Sequence, residues 1–173
     1  VTIRAARTAD IPAIQGIELA AGEAFRSIGL ADVADDDPPS AAELTAHIRN
    51  GGALVAVDGT DTPVAYLLVE ALGGRAHIEQ VSVHPSHARR GLGARLIEVA
   101  DAWADAHGLA GLTLTTFADV PWNAPYYARL GFAVLPDDAV DAALRERVRE
   151  EEAHGLGLAE WPRVVMARGA SAP

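Results

Sequence analysis

The stretch Val83-His84-Pro85-Ser86-His87-Ala88-Arg89-Arg90-Gly91-Leu92-Gly93-Ala94-Arg95-Leu96-Ile97 constrains this chain more than any other. An alternating apolar run from His77 to Val83 reads as a strand. It leads into a basic loop that contains Pro and Gly, and the loop becomes an amphipathic helix. Strand, loop and helix N-terminus together make an anion-binding device, because unpaired backbone N–H groups and the positive end of the helix dipole point the same way. Gly91 and Gly93 let an anion reach the backbone with no Cβ in the way. Arg89 and Arg90 add mobile positive charge. A phosphorylated ligand is the first inference.

Two familiar phosphate loops do not fit. A Walker A loop ends in Gly-Lys-Ser/Thr, and this loop has Gly93-Ala94-Arg95. The dinucleotide fingerprint G-x-G-x-x-G needs Gly at 96, which is Leu96. The segment Val-x-Pro-(several)-Arg-Gly-x-Gly-x-x-Leu-Ile instead resembles the pyrophosphate loop of the GNAT superfamily of acetyl-CoA-dependent N-acyltransferases. It departs from that family's pattern at Ala88, where Arg or Gln is common. A second motif follows in order. Thr115-Thr116-Phe117 reads as a strand, then comes Asn123, then a short helix ending Tyr127-Ala128-Arg129-Leu130-Gly131-Phe132. It resembles the family's Tyr-x-x-x-Gly-Phe motif. Together the motifs cover residues 77–134, the expected cofactor core.

The resemblance implies an α/β fold, a single domain over 1–173 with a tail at about 168–173. It also implies a mixed, mostly antiparallel central sheet, splayed in the middle, with helices on both faces. The element order fits. Thr2–Ala5 reads as an edge strand. Thr8-Ala9-Asp10 starts a helix with Ile11, Ile14 and Ile17 at helical spacing, and Gly29 ends that region. Asp32 to Pro39, with three Asp and two Pro, reads as a loop. Ser40 and Glu43 form a capping box for a helix to Arg49. Strands follow at 53–57, 64–71 and 77–83, then a helix at 91–106 with Leu92, Leu96, Val99, Ala100 and Trp103 on its buried side. Leu112–Phe117 is a strand, Trp122–Leu130 a short helix, Phe132–Leu135 a strand, Val140–Ala153 a charged helix and Arg163–Ala167 a last strand.

Composition narrows the function classes. The chain of 173 residues is half apolar and has no cysteine. That length suits one domain with a real core. Lack of Cys removes disulfides, a thiol nucleophile and Cys-ligated metal centres. No apolar run reaches the ~20 residues needed to cross a bilayer. No leader is visible, so a cytoplasmic protein without a membrane partner is expected. The net charge of −10 opposes nucleic acid as a partner and suits a cationic small molecule or basic peptide end.

Acyl transfer from a thioester to an amine needs a neutral amine held close, a stabilised oxyanion and a proton for the leaving thiolate. The resemblance gives Tyr127 as the proton donor; a phenol titrating near ~10 is protonated at neutral pH. Glu79, a charge inside an apolar strand, is the candidate general base, with His77 or a water relay as alternatives. For the cofactor the expected contacts are Val81 and Val83 by backbone groups, Arg89, Arg90, Gly91, Leu92, Gly93 and Ala94 in the loop, and Asn123. Asn123 could equally cap its helix. Acceptor contacts are expected from Glu18, Phe25 and Trp122, with Glu23, Arg26 and Asp35–Asp37 nearby in sequence. His84, His87, His77 and Glu79 match no standard zinc spacing, so no metal is expected. Ser82 lacks a nucleophile-elbow context.

The function expected is an acetyl-CoA-dependent N-acetyltransferase, acting on a primary amine by direct attack in a ternary complex, the acceptor a small molecule. A protein or peptide amine is the second acceptor class. A non-catalytic acyl-CoA-binding or sensing module is the rival, and a homodimer stays open.

Overall fold

The computed structural model describes residues 1–151, 153 and 161–169. Most of the expected tail and residue 152 of the charged helix lie outside them. In chain order the elements are β1 (Thr2–Ala5), α1 (Ile11–Arg26), α2 (Ala31–Ala34), α3 (Ala41–Arg49), β2 (Ala53–Val57), β3 (Pro63–Leu72), β4 (Arg75–Val83), α4 (Leu92–Ala106), β5 (Leu112–Phe117), α5 (Ala124–Arg129), β6 (Ala133–Val134), α6 (Ala142–Glu151) and β7 (Arg163–Arg168). The strands form a mixed seven-stranded sheet in the order β1-β2-β3-β4-β5-β7-β6, so the fold is α/β. The chain gathers into two compact units, residues 1–70 with 79–99, and residues 71–78 with those from 100 on.

In the first unit β1, β2 and β3 pair antiparallel, from Thr2↔Val57 to Ala5↔Leu54 and from Ala53↔Leu68 to Val57↔Pro63. All five residues of β2 are buried. Ala53, Val55 and Val57 pack with Ile11, Ile14 and Ile17 of α1, Leu44 of α3, and Tyr66 and Leu68 of β3. Leu54 and Ala56 alternate to the opposite face and are buried there too. That is why the strand reads as a continuous apolar run. The α1 stripe at 11, 14 and 17 is one helical face. Ser40 caps α3 as expected: its hydroxyl accepts from Glu43 N at 3.2 Å and the Glu43 carboxylate accepts from Ser40 N at 2.7 Å.

The α3–β2 connection is tight. Gly52 N donates to the His47 carbonyl at 2.9 Å and Gly52 O accepts from Val69 N at 2.8 Å. A Cβ on Gly52 would run into the Val69 carbonyl oxygen, so only glycine fits.

One expectation is corrected. The segment 32–39 is not all loop, because α2 occupies Ala31–Ala34. Buried Leu30 anchors it: Ala34 N donates to Leu30 O at 3.2 Å and Asp35 N to Ala31 O at 2.8 Å. Burial of one leucine fixes a turn that the Asp-Pro composition obscures.

In the second unit β4 and β5 run parallel through Ala76↔Leu112, His77↔Thr113 and Ile78↔Leu114, where the ladder ends. β7 then pairs antiparallel with β5 over six residues, Leu112↔Arg168 to Phe117↔Arg163, and with β6 at Ala133↔Ala167 and Val134↔Met166. Thus the strand latest in sequence lies between two earlier ones. Val140, Leu144 and Val165 form a small buried cluster with Leu72, Leu135 and Val148 against it. Asp141 caps α6 through Leu144 N at 2.9 Å. No described helix is long and apolar enough to cross a membrane.

Candidate active site

Val83 of β4 leads through a 3₁₀ turn at Pro85–His87 into the loop before α4. Arg89 and Gly91 take left-handed backbone conformations, at φ 59° and 73°. Glycine does this without strain, while a side chain at 89 costs roughly a kcal/mol or more. The first intrahelical bond of α4 runs from Arg95 N to Gly91 O at 3.1 Å. The N–H groups of Leu92, Gly93 and Ala94 precede that bond, so they belong to the orphan donors of the first turn. Arg89 and Arg90 are exposed. The Arg90 guanidinium steadies the loop with a hydrogen bond to Ser86 O at 3.3 Å. Several backbone donors, a helix dipole and two solvated cations fit a diphosphate. Val81 and Val83 are half-buried on β4.

The Ser86 hydroxyl bridges His84 Nδ1 at 2.7 Å and His87 Nδ1 at 2.9 Å. Two of the histidines that invite a metal reading therefore have ring nitrogens engaged with a hydroxyl. Among the described residues no group of three or more His, Asp or Glu is arranged to hold a metal ion.

The carboxylate of Glu18 is held by three donors: Tyr66 OH at 2.6 Å, Ser82 Oγ at 2.6 Å and Gln80 Nε2 at 2.9 Å. Gln80 Nε2 also reaches Ser82 Oγ at 3.0 Å. Tyr66 is fully buried, and burial beside Glu18 pushes its phenol far above the ordinary range. Glu18, the expected acceptor contact, ties α1 to β3 and β4. Gln80, Ser82 and Tyr66 were not anticipated as partners. Their trace in the sequence is the polar pair at 80 and 82, two residues apart and so on one face of the strand.

Glu79 pairs with a residue that sequence reasoning missed. His47 Nε2 lies 2.5 Å from Glu79 Oε2. The hydrogen bond to Glu79 raises the His47 pKa above its ordinary value against the opposing cost of burial; Glu70 and a backbone bond to Val69 add to it. The other proposed base, His77, is fully buried, and its Nδ1 lies 3.1 Å from Thr113 Oγ1. It sits as a core imidazole. Phe25 is half-buried near the end of α1, and Arg26 is bound by Glu23 at 3.2 Å and Asp35 at 2.6 Å. Arg26 offsets one of those two negative charges.

In the second unit Trp122 is exposed at 38 %. Asn123 stands at the N-cap of α5, but its side chain makes no capping bond; its backbone carbonyl accepts from Tyr126 N at 2.8 Å and Tyr127 N at 3.0 Å. The side-chain cap that the sequence allowed is not made. Tyr127 is half-buried, with its ring edge-on to Tyr126 at 5.4 Å and to Phe132 at 5.8 Å.

A profile of the acetyltransferase (GNAT) family matches residues 17–132. Among solved structures, Rv2747 from Mycobacterium tuberculosis, in complex with CoA, matches with a TM-score of 0.71 and 19 % identity over 99 % of this chain and all of its own. The N-acetylglutamate synthase of Neisseria gonorrhoeae, complexed with coenzyme A and N-acetyl-glutamate, matches with a TM-score of 0.69 and 17 % identity over 99 % of this chain and 35 % of its own. A Chaetomium thermophilum protein in complex with a bisubstrate analogue gives 0.69 and 16 % over 98 % and 86 %. These are likenesses of fold.

Proposed function

Because this chain belongs to the acetyltransferase (GNAT) family, we propose that it transfers an acetyl group from acetyl-CoA to a primary amine, by direct attack in a ternary complex. The observation that carries the reading is the loop before α4, where Arg89 and Gly91 turn left-handed next to the orphan donors of the helix. Acetyl-CoA supplies an acyl group already activated as a thioester. The backbone N–H groups of residues 91–94 hold its diphosphate, with Arg89 and Arg90 as counter-charges. Backbone groups of Val81 and Val83 and the Asn123 side chain hold its arm.

Glu79 accepts the proton that the attacking amine sheds, and Tyr127 gives a proton to the departing thiolate. A phenol at ~10 and a thiol at ~8.5 make that transfer feasible at neutral pH. The net charge of −10 draws a cationic amine, a small molecule or a basic peptide end; the small molecule is the first acceptor class.

The test is CoA release, followed with a thiol reagent, from acetyl-CoA mixed with amines, amino acids, polyamines, aminoglycosides and peptide N-termini. Release dependent on one amine class is expected. Acetyl-CoA binding with no release from any acceptor would favour a non-catalytic binding module. The loop is tested separately by Gly93→Asp, which sets a carboxylate among the diphosphate donors. CoA affinity by calorimetry should fall by on the order of a hundredfold or more; unchanged affinity would remove the loop from the site.

A further inference from the structure

We propose that His47 is a positioning residue for Glu79: the imidazole, clamped between the β4 carboxylate and the backbone of β3, holds Glu79 ionised and in one rotamer, so the pair is the proton-accepting unit. The proposal rests on Glu79 being the base.

The geometry fixes the proton. His47 Nε2 faces Glu79 Oε2 at 2.5 Å, with the two side chains 14 % and 39 % exposed. The ring also makes a backbone hydrogen bond at Val69. Nδ1 is the nitrogen left for it, donating to the Val69 carbonyl. Gly52 keeps that carbonyl in reach: its missing Cβ would strike Val69 O and lie 3.8 Å from His47 Nδ1. With Nδ1–H committed to a carbonyl, Nε2 of a neutral ring carries only a lone pair. A lone pair facing a carboxylate at this distance is repulsive, so one proton sits between them. The ring is imidazolium and Glu79 is carboxylate.

The surroundings agree. The charged groups facing His47 are Glu79 of β4, Glu70 of β3 and Glu43 one turn earlier on α3. All three are acidic. His47 also lies in the last turn of α3, where the helix dipole favours a cation. Desolvation alone opposes.

A pH dependence follows that plain amine chemistry does not give. Amine acceptors lose their proton as pH rises and a phenol keeps its own until about 10, so turnover would climb up to there. Here the pair is intact below the raised His47 pKa. Above it the ring presents its lone pair to Glu79, the clamp opens, and kcat falls.

The experiment measures kcat and KM against pH for wild type, His47→Ala, His47→Gln and Glu79→Gln, together with an NMR titration of the His47 ring. His47→Ala should lower kcat roughly tenfold through misplacement of the base, leaving the KM for acetyl-CoA unchanged. His47→Gln, whose amide N–H can still donate to the carboxylate, should restore most of the rate and abolish the alkaline fall. Glu79→Gln should bring the His47 titration back toward ~6.5 and lower kcat by about a hundredfold. Wild-type kcat and pH profile in both His47 variants, with Glu79→Gln inactive, would overturn the positioning role alone. Full turnover in Glu79→Gln would sink the base assignment, and the proposal with it. An unshifted His47 titration in Glu79→Gln would refute the pairing even if no acceptor is found.

Discussion

Two carboxylates of the first unit, Glu18 and Glu79, both meet neighbours around β4, and their surroundings differ in kind. Glu18 is gripped by a phenol, a hydroxyl and an amide. None of those donors changes charge near neutral pH, and the Tyr66 phenol is pushed still further from doing so. Glu79 is held by an imidazole that does titrate. The first arrangement is a clasp joining helix to sheet at any working pH. The second is conditional, since its donor can leave. The number and type of donors, more than the acid itself, separate a structural carboxylate from one available to chemistry.

The contrast can be broken most sharply at Glu18. Glu18→Ala strips the acceptor from a fully buried tyrosine hydroxyl and from Ser82, so stability should fall by about 3 kcal/mol. A shift of the urea midpoint at unchanged m-value would report it; a loss under ~0.5 kcal/mol would show that the clasp is ornamental. Glu79→Ala should do the reverse. With Glu79 39 % exposed, its loss should cost no more than about 1 kcal/mol, while amine-dependent turnover drops by about a hundredfold. Equal stability losses at the two positions would erase the distinction.

The smallest effect sharpens it. The folded pKa of His47 is raised, so the stability this pair adds is fully present below the unfolded value of ~6.5 and is lost as pH rises through the folded one. The stability gap between wild type and Glu79→Gln should therefore shrink on going alkaline. The gap for Glu18→Ala should stay flat over roughly pH 6 to 9, because the phenol keeps its proton throughout. Parallel pH curves for the two gaps would contradict the titrating donor.

Much of the fold was legible because its signals are local. Ser40 and Glu43 sit three residues apart and cap α3 as their spacing demands. The β-favouring run Leu112–Phe117 matches β5 residue for residue. The glycines and arginines of the loop lie next to the strand and helix that orient them. What escaped was long-range. Glu18 meets residues 48 to 64 positions away, and no neighbour in the sequence records that. Nothing in the sequence around His47 marks it out. Its partner lies on β4, and the turn that delivers it depends on a missing Cβ at Gly52. α2 escaped for another reason: the Asp and Pro run that follows it masks a turn anchored by buried Leu30. Roles at Tyr127, Asn123 and Trp122 came from family likeness, since periodicity assigns an aromatic no chemistry.

The position of β7 governs how the molecule comes into being. On the ribosome β5 and β6 are made well before Arg163–Arg168, the segment that must enter between them. Until it emerges, one margin of β5 offers six residues of unsatisfied backbone, and two-residue β6 has nothing to lean on. Such a margin is a template for wrong partners, and the late, distant closure makes the wait long. Arg168, which binds Asp101 and the Leu130 carbonyl, arrives at the same moment to lock the half together. A stop codon at position 161 would turn that interval into a permanent state. Its product should accumulate in inclusion bodies or on chaperones, although nearly every residue discussed for catalysis has already been translated.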